Sequence, residues 1–142
     1  MLVTVVTLGL AACGGGEEKA ISKDEYLKRA QQVCTEGNAE LEKASETAFA
    51  DLKPGQKPTE DQIATFVRKT VVPEIRKQVK ELRDLPPPEG GEKKVDEIYD
   101  ALDRGLDQLD KDPKLILAGT KVFDKANELG TKYGIRVCAA PG

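Results

Sequence analysis

Five aspartates recur at spacings of four, three, four and three: Asp96, Asp100, Asp103, Asp107 and Asp110. On a helix that rhythm puts five carboxylates on one stripe. Such a stripe can gather oxygen ligands for a hard cation such as calcium, or it can face cations on a neighbouring helix. The cations exist, at Lys69, Arg76, Lys80 and Arg83. If the two segments form antiparallel helices that turn near Glu89, Arg83 falls opposite Asp96 and Lys80 opposite Asp100. In the same register Arg76 meets Asp103 and Lys69 meets Asp110. One register serves all four, so charge pairing at the rim of a helix seam is the expected role. Exposed pairs contribute only about 0–1 kcal/mol each, but they select one neighbour over another.

Other chemistry is scarce. There is no histidine, which removes Ser-His-Asp and Cys-His arrangements and the common zinc sites. No Gly-rich loop joins a strand to a helix; Gly14-Gly15-Gly16 lies in a polar stretch and reads as a tether. The sequence therefore predicts no enzyme, no cofactor and no resident metal. Net charge is −3, with Lys+Arg 22 against Asp+Glu 25, so neither nucleic acid nor anionic lipid headgroups have an electrostatic hold on the chain. Tyr26, Tyr99, Phe123 and Tyr133 are the candidates for a ligand pocket, although aromatics at helical spacing belong first to a core.

The elements that position these groups are helices. Charged residues make up 33% of the chain and aromatics 4%, with no Trp, a helix-forming composition. A first helix starts at Ser22, where Ser22 and Glu25 have capping-box spacing. Its seam is Leu27, Ala30, Cys34, Gly37, Leu41, Ala44 and Ala48, mostly small, and it ends near Leu52. Gly37 lowers helix stability by about 1 kcal/mol relative to Ala, and close packing is the expected compensation. The same small seam could instead leave a groove for an apolar ligand.

A second helix starts at Thr59, with Gln62 completing another capping box. It presents Ile63, Phe66, Val67, Thr70, Val71, Ile75, Val79 and Leu82. Pro73 has no N–H for the carbonyl of Lys69, so a kink or brief break is expected there. Leu85-Pro86-Pro87-Pro88-Glu89-Gly90 makes the turn. A third helix, from Glu92 to Asp110, faces inward with Val95, Ile98, Tyr99, Leu102, Leu106 and Leu109. Asp112-Pro113 opens a fourth, using Leu115, Gly119, Val122, Ala126, Leu129 and Tyr133 and stopping at Gly134. Four amphipathic helices on short connections predict an all-α, up-down-up-down four-helix bundle.

The N-terminus sets the compartment. The apolar run from Leu2 to Leu10 is too short to span a bilayer, which takes about 20 residues. Leu10-Ala11-Ala12-Cys13 closes it and resembles the processing site of a bacterial lipoprotein signal. Residues 1–12 would be the signal peptide, Cys13 the lipidated (palmitate-bearing) residue, 13–21 a flexible tether and 22–142 the domain. No Lys or Arg precedes Cys13, which predicts that translation starts upstream. With Cys13 lipidated, Cys34 and Cys138 remain, an even number for an oxidising compartment. A fourth helix that returns beside the first would bring Cys138 to Cys34, and we expect a disulfide there. It would close a loop of about a hundred residues, for which chain entropy gives ~4–5 kcal/mol.

Three stretches together resemble a group of small, uncharacterised actinobacterial lipoproteins. They are Glu25-Tyr26-Leu27-Lys28-Arg29-Ala30 running into Val33-Cys34, then Leu85-Pro86-Pro87-Pro88-Glu89-Gly90, then Tyr133-Gly134-Ile135-Arg136-Val137-Cys138. With the signal, the resemblance spans nearly the whole chain. It implies an exported, membrane-tethered helical domain with one disulfide and no assigned activity. The expectation is thus a lipid-anchored protein on the extracytoplasmic face of the cell membrane. It would bind or scaffold another envelope protein or cell-wall material without catalysis. The alternative is a carrier that holds a small apolar or lipid-like ligand between helices. An enclosed apolar cavity would favour the carrier; a filled core with an exposed apolar patch would favour the binding module.

Overall fold

The computed structural model describes residues 19–119 and 121–135. Cys13, Cys138, residues 1–12 and most of the tether lie outside them. The described chain is all-α, with no strand. Helix α1 runs Lys23–Ala48, α2 Glu60–Phe66, α3 Val72–Arg83, α4 Glu92–Lys111 and α5 Asp124–Tyr133. Helix α3 packs on both α1 and α4, and α5 packs on α4. Paired contacts fix the senses. Lys77 and Gln78 of α3 meet Glu40 and Gly37 of α1, and Arg76 and Arg83 reach Asp107 and Asp100 of α4; the order descends on both neighbours, so both run antiparallel to α3.

The caps follow the sequence. Ser22 Oγ accepts from Glu25 N at 3.2 Å, but the Glu25 carboxylate turns to Arg29 instead of closing the box. Thr59 and Gln62 make both halves of theirs.

The break near Pro73 takes a definite form. Val67–Val71 is a π-helical turn between α2 and α3, and Val72 N donates to Val67 O, five residues back. Proline removes the donor that Lys69 O would meet in an α-helix, and a wider turn re-registers the ladder one residue on. The extra residue also rotates the apolar face. Val67 and Val72, five apart, are both buried, whereas Thr70 and Val71 are only half-buried.

The expected fourth helix is not continuous, and this corrects the sequence reading. Pro113–Ala118 and Lys121–Phe123 are 3₁₀ turns, and only Asp124–Tyr133 is α-helical. Gly119 sits at φ 93°, a conformation no α-helix contains, and is exposed rather than on the seam. Gly134, left-handed at φ 113°, ends α5 as expected.

The core is continuous and lies where α3, α4 and the first half of α1 meet. Tyr26, Ala30 and Cys34 of α1 are buried, as are Leu82, Leu106 and Leu109. Every residue expected on the inner face of α4 is buried. The α1 seam is shorter than expected: Ala30, Cys34 and Gly37 are buried, whereas Leu27 before them and Leu41 and Ala44 after them are half-buried and Ala48 is exposed. The far end of α1 therefore projects past the tightest packing.

Two close approaches rely on glycine. A methyl on Gly37 would fall closer than 3.0 Å to Cγ, Cδ and Nε2 of Gln78, so the compensation for this glycine is a side chain of α3 laid across it. A methyl on Gly105 would meet Phe123 Cδ1 at 2.6 Å and the Val122 carbonyl oxygen at 2.7 Å, so Gly105 admits the second 3₁₀ turn against α4.

The chain before α1 is also held. Ile21 N donates to Pro87 O and Glu89 N donates to Ile21 O, both at 2.9 Å, a single parallel β-bridge to the triple-proline turn. At the same end Lys23 Nζ lies 4.6 Å from the centre of the Tyr133 ring, and Gly134 sits against Leu27. The start of α1, the α3–α4 turn and the end of α5 thus share one end of the domain.

Candidate functional site

The acidic and basic stripes do face one another across the α3–α4 seam. Arg83 lies 2.9 Å from Asp100, 3.1 Å from Asp103 and 3.7 Å from Asp96. Arg76 lies 2.8 Å from Asp107 and 4.0 Å from Asp110. The partner helix is the expected one and the expected Arg83–Asp96 pair forms, but the closest contacts lie in another register. Arg83 and Arg76 each take a closest partner four residues beyond the expected one, a displacement of one helical turn. Lys80 pairs along its own helix with Asp84 at 2.6 Å, and Lys69 makes no ion pair among the described residues. Asp107 and the neighbouring aspartates hold the Arg76 guanidinium above its ordinary value. Arg83 is raised too, its hydrogen bonds to Asp100 and Asp103 opposing a larger desolvation. Among the described residues no group of three or more acidic or thiol side chains stands close enough to hold a metal.

The four aromatic candidates are core. Tyr26, Tyr99, Phe123 and Tyr133 are all buried. Tyr26 and Tyr99 share a hydrogen bond between their hydroxyls, joining α1 to α4, and Arg83 lies over the Tyr99 ring at 5.2 Å. Burial pushes both phenols above their usual range; for Tyr99 the hydrogen bond to Tyr26 pushes the same way. A recess of about 80 Å³ opens beside them, lined by Leu85, Pro87 and Glu92 among others. Tyr26, Tyr99, Arg83 and Asp96 of its lining are engaged with one another, which suits a structural joint better than chemistry.

A feature the sequence reading did not single out is larger. Between the end of α1 and helix α2 lies an open groove of about 440 Å³, lined by Phe49, Phe66, Thr65, Lys69 and their neighbours. The Phe49 and Phe66 rings touch at 5.2 Å between centres, tilted 58°. Three sequence signals point here in retrospect. The α1 seam runs out into Ala44 and Ala48, Phe49 follows the helix, and Pro73 forces the π turn that carries Lys69 and Thr70. Only the exposure of the α1 end, which the seam spacing does not encode, was needed to join them.

The groove and Ile21 are at opposite ends of α1. With 26 residues, α1 spans about 39 Å. No helix of the described residues is long and apolar enough to cross a membrane. No family model matches the chain, and neither a curated protein nor a solved structure matches it.

Proposed function

We propose that the chain is a lipoprotein anchored through Cys13 to the extracytoplasmic face of a cell membrane. In this reading its helices form an up-down-up-down four-helix bundle that binds or scaffolds an envelope partner without catalysis. The observation that carries binding over the carrier alternative is the location of empty space. The inner faces of α1, α3 and α4 are filled by interlocked side chains. The larger hollow is a surface groove at the end of α1 remote from Ile21. A carrier would need the apolar space inside.

The geometry suits a tether. Ile21 is clamped to the triple-proline turn, so the expected tether between Cys13 and that clamp is residues 14–20. A Gly-rich segment of that length spans roughly 15 Å. The anchored end of the domain would sit against the headgroups and the groove would face away, about 39 Å further out along α1.

Support for the Cys34–Cys138 disulfide comes from the return of the chain. Cys34 is fully buried. Gly134 packs on Leu27, which shares a helix face with Cys34 two turns on. Seven residues of helix rise about 10.5 Å, and four residues of extended chain reach about 13 Å. A reach of that length from Gly134 supports the proposed pairing.

Intact mass spectrometry of protein extracted from membranes tests the whole reading. We expect lipid mass on Cys13, loss of residues 1–12 and two hydrogens missing for the disulfide. An unlipidated species that keeps Met1 and two maleimide-reactive thiols would overturn it. Crosslinking from an exposed groove position such as Thr65 in the native envelope then identifies the partner.

A further inference from the structure

The groove has a floor and a rim of different chemistry. Phe49 and Phe66 form the floor, half-buried and in contact. The rim is polar: Gln62, Thr65 and Thr70 offer hydrogen bonds, and Asp61 and Lys69 carry charge. Asp61 meets Lys114 at 3.2 Å, a cation that Glu60 shares at 3.9 Å. Lys69 is exposed and unpaired among the described residues, whereas Arg76, Lys80 and Arg83 of the same basic stripe all pair within 3 Å. Lys69 sits on the π turn, and the last carboxylate of the acidic stripe, Asp110, falls to Arg76 at 4.0 Å. Wide turns of this kind recur at functional positions.

From the unpaired cation beside an aromatic floor we propose that this groove docks a short acidic–apolar peptide segment of a partner protein. An aliphatic or aromatic side chain rests on Phe49 and Phe66, and a neighbouring carboxylate faces Lys69. The rim hydroxyls and the Gln62 amide meet the peptide backbone. A fatty acid shares the anionic and apolar chemistry but fits less well. An acyl chain needs continuous apolar walls, and here the floor is two rings wide under a polar rim. The volume, about 440 Å³, lies in the range of ~300–1,000 Å³ typical of small recognition sites. The inference rests on the domain being a partner-binding module. The mass measurement above tests the anchor separately, so a lipidated protein with an inert groove would sink this proposal alone.

The test is an amide-shift titration of the oxidised protein with two capped hexapeptides. One carries two carboxylates flanking two leucines; the other carries ammonium groups in the same places. We expect the acidic peptide to shift resonances of Phe49, Thr65, Phe66 and Thr70 and to bind several-fold tighter than the basic one. Lys69→Glu should weaken the acidic peptide by fivefold or more, about 1 kcal/mol. Arg68→Glu, an exposed neighbour that does not line the groove, should leave the affinity within twofold. Equal affinity for the two peptides, shifts confined to other surfaces, or equal losses in both variants would overturn the proposal. So would laurate that shifts the same residues and displaces the acidic peptide.

Discussion

Replacing Gly37 with alanine sets two known quantities against each other. An interior helical glycine is worse than alanine by about 1 kcal/mol, so Gly37→Ala would stabilise α1 if nothing faced it. Gln78 does face it, with three side-chain atoms closer than 3.0 Å to the new methyl. Overpacking of this kind typically costs about 1–3 kcal/mol, so the single variant should be less stable by roughly 0–2 kcal/mol. Gln78 is 6% exposed and its Nε2 is buried with no hydrogen-bond partner. Removing it therefore forfeits packing but also removes an unsatisfied donor, worth about 1–3 kcal/mol, and Gln78→Ala should be close to neutral. In that background the obstruction is gone, and Gly37→Ala should stabilise by about 1 kcal/mol. The coupling between the two sites is then about 1–3 kcal/mol. Urea unfolding of the four proteins, followed by circular dichroism without reductant, measures it. Additivity to within ~0.5 kcal/mol would show that Gln78 does not decide the environment of Gly37, and the account of this close approach would fail.

Gly105→Ala meets a backbone carbonyl as well as a ring, which cannot swing aside. We expect it to destabilise by about 1–2 kcal/mol net of propensity, more than Gly37→Ala, in the same unfolding assay. Arg83→Ala removes three aspartate contacts and the cover over Tyr99. Thermal unfolding at low salt should show a loss of about 1–2 kcal/mol, while Lys80→Ala, on an exposed pair within one helix, should stay within about 0.5 kcal/mol. Tyr26, Tyr99 and Tyr133 are the only tyrosines, and all are raised above the ordinary phenol range, chiefly by burial. Their folded forms favour the neutral phenol, so their stabilisation is complete below about pH 10 and drains away as pH climbs past it. Phenolate absorbance should therefore rise together with loss of helix signal, and free titration near pH 10 of a folded protein would contradict the buried pair.

The α4 face was legible because a single uninterrupted helix keeps one period, and every apolar residue at that spacing went inward. The capping signals at Ser22 and Thr59 were legible for the same local reason. The charge stripes identified the right neighbour, since like periods on two helices can only align face to face. Their register escaped because it depends on where the triple-proline turn starts each helix, and that turn is itself pulled onto Ile21. Pro73 announced a break but not its kind. A π turn and a kink both spare the missing N–H, and only the π turn brings Val72, five residues after Val67, into the core. The fourth helix was misjudged because Asp112-Pro113 is an equally good start for a 3₁₀ turn, and Gly119, taken for a small seam residue, is needed for its positive φ. The groove was not legible as a site because it arises from the end of one helix overhanging another.

The bridge between Ile21 and the triple-proline turn decides how the domain would respond to a pull on its N-terminus. Without it, tension would enter at Ser22 and peel α1 from its neighbours one turn at a time. With it, the two backbone hydrogen bonds pass the force to the junction of α3 and α4. Pulled from its N-terminal side, the domain would yield first at that clasp, while the helices stay folded.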